Sequence, residues 1–252
     1  MIDFERSGQG VPIVLVHGIT ESKRSWDPLV ERLASSHDVL AVDLRGHGDS
    51  TTTGPFDVLT MASDIREVVE TQQMREPLLI GHSLGGTVVS AYAAMYPCRG
   101  VLNVDQSMRL GDFQQSLLAI EPMLRGDDAA FHQVIDMIFD SMRGELDDSE
   151  WTRLQSLRRA DQEVVLGVWD AVLELDAKEL DAMVNALASA IVVPYLSLHG
   201  TDPGEDYEEW LGALVVEARI ERWEGFGHYP HLVAQDRFFE LLGDFETTLK
   251  KT

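Results

Sequence analysis

The sequence predicts an α/β domain built on a mostly parallel, doubly wound sheet with a helical insertion. Three observations predict it. Short β-branched apolar runs alternate with stretches of helical periodicity through the first hundred residues. Strand signals then stop, and residues 107–190 carry only helical spacing and acidic helix starts. Strand signals resume at residue 191, and a final helix closes the chain.

Each element follows from its local pattern. Ile2, Phe4 and Arg6 alternate with Asp3 and Glu5 as a short strand, turned by Ser7-Gly8-Gln9-Gly10. Residues 11–16 are an apolar run stopped at His17-Gly18, the mark of a strand buried on both faces. Residues 26–33 place Leu29, Val30 and Leu33 on one helical face. A second buried strand at 39–42 is closed by Asp43-Leu44-Arg45-Gly46-His47-Gly48-Asp49-Ser50. Residues 59–72 form a helix with Met61, Ile65, Val68 and Val69 inward. The strand at 78–80 runs straight into Gly81-His82-Ser83-Leu84-Gly85-Gly86, followed by a small-residue helix at 87–95 that Pro97 stops. A fourth buried strand, 101–104, ends at Asp105. Late strands are expected at 191–198 and 218–223, and the last helix at 237–249. The expected organisation is a core of residues 1–106 and 191–252 with a helical segment, 107–190, inserted in it.

The 252 residues suffice for one such domain with a large core. With 20 Lys and Arg against 43 Asp and Glu, the formal charge is −23. Such a surface repels phosphate backbones and anionic lipid, so neither a nucleic-acid nor a membrane partner is expected. A single cysteine, Cys98, excludes an intrachain disulfide and a cysteine zinc site. The opening residues lack the basic and apolar regions of a signal peptide, and no apolar run approaches the roughly 18 residues of a membrane helix. The expected location is cytoplasmic.

The chemistry concentrates in Gly81-His82-Ser83-Leu84-Gly85. A G-x-S-x-G pattern between a buried strand and a helix is the setting of a nucleophile elbow. The sharp bend presents the hydroxyl at the carboxyl edge of the sheet, and the flanking glycines let backbone approach without a Cβ clash. A serine hydroxyl needs a base, because it is protonated at neutral pH. Among eight histidines, His228 stands in the glycine-flanked Gly225-Phe226-Gly227-His228 loop beyond the last strand, at the same edge as Ser83. His231, His17, His47 and His82 read as structural. The base needs an orienting carboxylate. Asp202 ends a core strand and gives the chain order Ser, Asp, His. Asp105 is the alternative, one strand spacing or roughly 5 Å from the Ser83 strand, and Asp206 is a third option. The oxyanion donors are expected to be the backbone N–H groups of Leu84 and Ile19, with the Thr20 hydroxyl as a possible addition.

Together these motifs, with Val14-Leu15-Val16-His17-Gly18, His199-Gly200-Thr201-Asp202 and Gly227-His228, resemble the α/β-hydrolase superfamily. The resemblance covers most of the chain outside the helical block. It implies an eight-stranded type of sheet, here with one edge strand missing, and a cap domain at residues 107–190. One spacing departs from the pattern: a single residue, Thr201, separates Gly200 from Asp202 where the family has two. Some relatives take the acid from the position of Asp105.

The function expected is a serine hydrolase that needs no cofactor and no metal and cleaves a neutral or apolar carboxylic ester or lactone. Thioesterase, carbon–carbon bond hydrolase and perhydrolase activities use the same groups, and a non-catalytic binding role on the same fold is the alternative of a different class. Serine at the elbow argues against the epoxide hydrolases and haloalkane dehalogenases, whose elbow carries aspartate. Met108, Phe113, Phe131, Met137, Phe139, Trp151 and Trp169 are candidates for an apolar pocket under the cap.

Overall fold

A computed structural model describes residues 1–249. Seven strands lie in one sheet: β1 Phe4–Gly8, β2 Val11–Val16, β3 His37–Val42, β4 Leu78–His82, β5 Gly100–Val104, β6 Tyr195–His199 and β7 Ala218–Arg222. Their spatial order is β1-β3-β2-β4-β5-β6-β7. Only β1 runs antiparallel, paired along β3 from Phe4 opposite Val42 to Gly8 opposite Asp38. The other neighbouring pairs are parallel.

Burial explains the strand sequences. Ile13, Val14, Leu15 and Val16 of β2 are completely buried, as are Leu78, Leu79 and Ile80 of β4. A central parallel strand is covered on both faces, so alternation gives way to a continuous apolar run. Each such side chain contributes about 1.5–3 kcal/mol by leaving water. The edge strand β1 lacks that cover and keeps Glu5 and Arg6 exposed.

Helices α1 Asp27–Ala34, α2 Val58–Thr71 and α3 Leu84–Met95 connect the first strands. A single 3-10 turn, Lys23–Trp26, precedes α1, so the predicted helix start at Trp26 falls one residue early. Nine of the twelve residues of α3 are buried, because this helix packs on β4 and β5 and between α2 and a later helix. Its Gly, Ala and Ser content permits that close approach.

Between β5 and β6 the chain forms five helices: α4 Gly111–Leu124, α5 Asp128–Ser141, α6 Asp148–Leu157, α7 Gln162–Glu174 and α8 Ala177–Ser189. Four of them start at aspartates whose side chains accept from backbone N–H groups of the first turn: Asp127, Asp147, Asp161 and Asp176. These are the acidic helix starts visible in the sequence. The remaining helices are α9 Tyr207–Leu214, α10 Pro230–Val233 and α11 Gln235–Thr248. Helix α9, which lies between the two late strands, has no counterpart among the predicted elements.

The five-helix segment is tied to the loops at the carboxyl edge of the sheet. Arg153 of α6 donates to the carbonyls of Arg24 (2.8 Å) and Ser25 (3.1 Å). The Arg159 N–H donates to Thr20 O at 2.8 Å, and the His228 N–H to Met142 O at 2.9 Å. No described helix is long and apolar enough to cross a membrane.

Candidate active site

The strand order reverses around β2: the chain steps to β3 on one side, then crosses back to β4 on the other. A crevice outside the carboxyl ends of the strands is expected at such a switch point. The loops leaving β2 and β4 are His17-Gly18-Ile19 and His82-Ser83-Leu84, so the topology brings both expected reactive segments to this place.

Ser83 sits between β4 and α3 with φ 52° and ψ −124°, a conformation that costs a non-glycine residue of order 1–3 kcal/mol. Backbone bonds on either side hold it there. Its N–H donates to Val104 O at 3.0 Å, and its carbonyl accepts from Gly86 N at 2.7 Å. Two glycines are required by space. A Cβ on Gly81 would lie 2.2 Å from Gly85 O, and one on Gly85 would lie 2.2 Å from Val16 O. The bend therefore closes onto itself and onto the end of β2.

His228 is buried, with its ring centre 4.6 Å from that of His82, the residue before Ser83. Its Nδ1–H donates to Asp105 Oδ2 at 2.6 Å. Its carbonyl accepts from His82 Nε2 at 2.8 Å, and its N–H is bound by Met142 as described. The backbone N–H and carbonyl of the residue are thus both fixed by hydrogen bonds, and the ring by a carboxylate.

That carboxylate is Asp105, not Asp202, which corrects the preferred sequence expectation. Asp105 follows β5, has φ 52°, and is 4% exposed. Besides His228, it accepts from the N–H groups of Gly200 (2.7 Å) and Thr201 (2.9 Å) and from the Thr201 hydroxyl (3.0 Å). Burial raises the Asp105 carboxyl, but the His228 hydrogen bond and charge and the Thr201 N–H outweigh it and hold it at about 2. Asp202 points outward, 78% exposed, to Gly204 N (2.9 Å) and Arg222 (3.5 Å). The short Gly200-Thr201-Asp202 loop explains the difference: its backbone donors cradle Asp105, and Asp202 lies past the turn. Asp206 stands at the start of α9 with no side-chain capping bond.

The loop after β2 approaches the elbow closely, since a Cβ on Gly18 would lie 3.2 Å from Ser83 Cβ. Among the described residues, the N–H groups of Ile19 and Leu84 make no hydrogen bond to the chain. Leu84 is the first residue of α3, where N–H groups are free to bind a ligand. Thr20 has φ 64°, and its buried hydroxyl has no partner.

The other histidines take structural positions. His17 donates from Nδ1 to Gly18 O at 2.7 Å and accepts at Nε2 from Leu44 N at 3.0 Å. Burial lowers His47 to about 4. Burial likewise lowers His231, which packs between Trp26 and His82 with ring centres 4.9 Å from each. Asp3, Asp43 and Asp49 converge, but Lys23 Nζ lies among them at 2.8, 2.9 and 3.2 Å. An ammonium group thus occupies the position a cation would take.

Of the apolar pocket candidates, Met108, Phe131, Phe139, Trp151 and Trp169 are buried and Phe113 is half-buried. Met137 is 53% exposed, on the face of α5 opposite its buried residues, and so belongs to no pocket. Sequence reasoning missed two buried groups beside the site. Glu21, in the loop after β2, is 4% exposed, and Tyr229 is fully buried. A charged residue in a turn gives no sequence signal of burial, whereas Tyr229 could have been found from its place next to His228.

Comparison with known proteins agrees with this architecture. Residues 13–241 match the family described as "Alpha/beta hydrolase family". A soluble epoxide hydrolase of Corynebacterium sp. is 43% identical over 92 residues, 36% of this chain and 32% of that protein. The esterase YbfF of Escherichia coli is 37% identical over 84 residues, 33% of each chain. The matches thus span about a third of the length of these curated relatives. The solved structure of an esterase from Exiguobacterium antarcticum superimposes with a TM-score of 0.80 at 21% identity, covering 98% of this chain and 96% of that one. With the strand order, the serine bend and the family match over residues 13–241 in agreement, the chain belongs to the alpha/beta hydrolase family.

Proposed function

We propose that the protein is a serine hydrolase acting on a carboxylic ester or lactone, with Ser83 as nucleophile, His228 as general base and Asp105 as the orienting acid. The observation that carries this reading is the 2.6 Å bond from His228 Nδ1 to buried Asp105, beside a serine held at φ 52°. With Nδ1 protonated and bound to the carboxylate, Nε2 is the nitrogen left to accept a proton.

In this mechanism Ser83 Oγ attacks the carbonyl carbon while its proton passes to His228 Nε2. The Ile19 and Leu84 N–H groups bind the oxyanion that develops. The imidazolium is stabilised by Asp105 and returns the proton to the leaving alkoxide. Water, deprotonated by the same nitrogen, then attacks the acyl-enzyme and restores Ser83. The helices of residues 107–190 act as a cap over a core of 1–106 and 191–252, with the Trp151 ring 6.4 Å from that of Tyr229, the residue after His228. The esterase named among the relatives supports the ester as substrate class. Serine at the elbow sets this chain apart from epoxide chemistry, which needs a carboxylate nucleophile.

The test is a panel of short-chain p-nitrophenyl esters and simple lactones with the wild type and Ser83→Ala. Turnover by the wild type that falls at least about 10³-fold in the variant is expected. Equal background hydrolysis by both proteins would overturn the proposal.

A further inference from the structure

Glu21 is a charged carboxylate in a site whose proposed chemistry does not use it. It is 4% exposed, and its one ion-pair partner among the described residues is His82. Burying a carboxylate without a close cation costs several kcal/mol unless its contacts compensate. The contacts of Glu21 reach three different parts of the site. Oε2 accepts from the Gly18 N–H at 3.3 Å, in the loop that carries Ile19. Oε1 accepts from the Tyr229 hydroxyl at 2.9 Å, one residue after His228. Oε2 also faces His82 Nδ1 at 3.6 Å, too long for a good hydrogen bond but close for a charge interaction. The far nitrogen of that ring, Nε2, donates to the carbonyl of His228 at 2.8 Å.

We propose that Glu21 is a positioning residue for acyl transfer, a buried carboxylate that locks the oxyanion loop, the nucleophile bend and the His228 loop into one arrangement. The role rests on the hydrolase reading above. The Gly18 N–H bond fixes the His17–Gly18 peptide, and the Glu21 N–H donates to Gly18 O at 3.3 Å, the carbonyl of the peptide that carries the Ile19 N–H, so Glu21 sets the aim of that donor from both sides of Gly18. The Tyr229 and His82 contacts hold the chain on the carboxyl side of the His228 α-carbon, where His228 O accepts from His82 Nε2. Burial pushes the Glu21 carboxyl up, but the His82 ring that faces it and the Tyr229 hydroxyl outweigh it and hold it well below the usual carboxylate range. The group is therefore ionised and accepts at both oxygens at neutral pH. Arg158 from the helical segment stacks on Phe139 at 3.9 Å, and its positive charge acts on the Tyr229 hydroxyl against the upward push of burial.

A neutral amide at position 21 keeps the shape but offers one accepting oxygen in place of two. Removing an oxyanion donor outright costs about 10²–10³ in kcat, so misaiming one costs less, on the order of 10–100-fold. The experiment compares wild type, Glu21→Gln and Tyr229→Phe by three readouts: kcat and KM on p-nitrophenyl butyrate, the rate at which a fluorophosphonate labels Ser83, and Tm. For Glu21→Gln, kcat and the labelling rate should fall together by about 10–100-fold while KM stays within about twofold. Tyr229→Phe, which removes one of the three anchors, should show the same pattern with a smaller loss. A labelled wild type whose Glu21→Gln variant labels and turns over at the same rate, with only Tm lowered, would overturn the role of Glu21 alone. A wild type that the fluorophosphonate does not label would overturn the hydrolase reading and this role with it.

Discussion

Replacing Asp105 by asparagine isolates the carboxylate that the structure puts on His228. Asp105 has four partners: His228, the N–H groups of Gly200 and Thr201, and the Thr201 hydroxyl. Both backbone N–H groups donate to Oδ1, so the one accepting oxygen of asparagine takes that position. Its amide nitrogen then faces His228 Nδ1, which must accept instead of donate. That forces the proton onto Nε2, where it blocks proton transfer from Ser83. The expected loss in kcat is about 10³–10⁴-fold, or about 4–5.5 kcal/mol of transition-state stabilisation at 1.36 kcal/mol per decade. KM should change little, because Asp105 does not reach substrate. Asp202→Asn, which alters an exposed side chain, should stay within about twofold of wild type. The same substitution carries a stability signature. A carboxyl held at about 2 in the folded protein contributes about 2 kcal/mol above the unfolded value near pH 4. That contribution fades as pH falls through about 2, so the stability gap between wild type and Asp105→Asn should be larger at pH 7 than at pH 3. Steady-state kinetics on a p-nitrophenyl ester and urea unfolding at the two pH values measure both. A large kinetic loss in Asp202→Asn with a mild one in Asp105→Asn would make Asp202 the orienting acid instead.

Three further outcomes follow from the same contacts. Lys23→Met leaves Asp3, Asp43 and Asp49 without their shared cation, at a cost of about 3 kcal/mol and a Tm fall of about 6–12 °C by calorimetry; an unchanged Tm would show that the cluster is already screened. Gly18→Ala has ordinary backbone torsions but puts a methyl 3.2 Å from Ser83 Cβ and 3.3 Å from the Glu21 carboxylate. It should lower kcat by about tenfold with Tm within a few degrees, as small displacements at the reacting centre do. Chelator treatment should leave ester turnover unchanged, since every step of the mechanism runs through protein groups, and activity that vanishes with EDTA and returns with a metal would contradict it.

Much of the fold was legible because the sheet interior imposes a simple pattern. The strand at residues 11–16 coincides with β2, and the runs at 39–42, 78–80 and 101–104 fall inside β3, β4 and β5. The acidic helix starts of the inserted segment were visible for the same local reason, since aspartate caps act over three residues. Helix α9 was missed because it buries only Tyr207 and Leu211 and shows Glu208 and Glu209 in its first turn. At the site, Ser83 and His228 could be singled out from glycine spacing, which reports local bends. The partner of His228 could not, because it depends on β5–β6 register and on where the Gly200 and Thr201 donors point, and chain order favoured Asp202. Met137 turns out exposed, since apolar character alone does not say which face of α5 a residue occupies. Glu21 escaped entirely, since its burial is set by Tyr229 and His82, which are distant in sequence.

The central claim is that Ser83 carries the acyl group during turnover. Acid quenching during hydrolysis of a slowly deacylating p-nitrophenyl ester, followed by peptide mass spectrometry, tests it directly. An acyl adduct is expected on the peptide containing Ser83 and absent from Ser83→Ala. Undiminished turnover with that peptide unmodified, or an adduct at another residue, would contradict it.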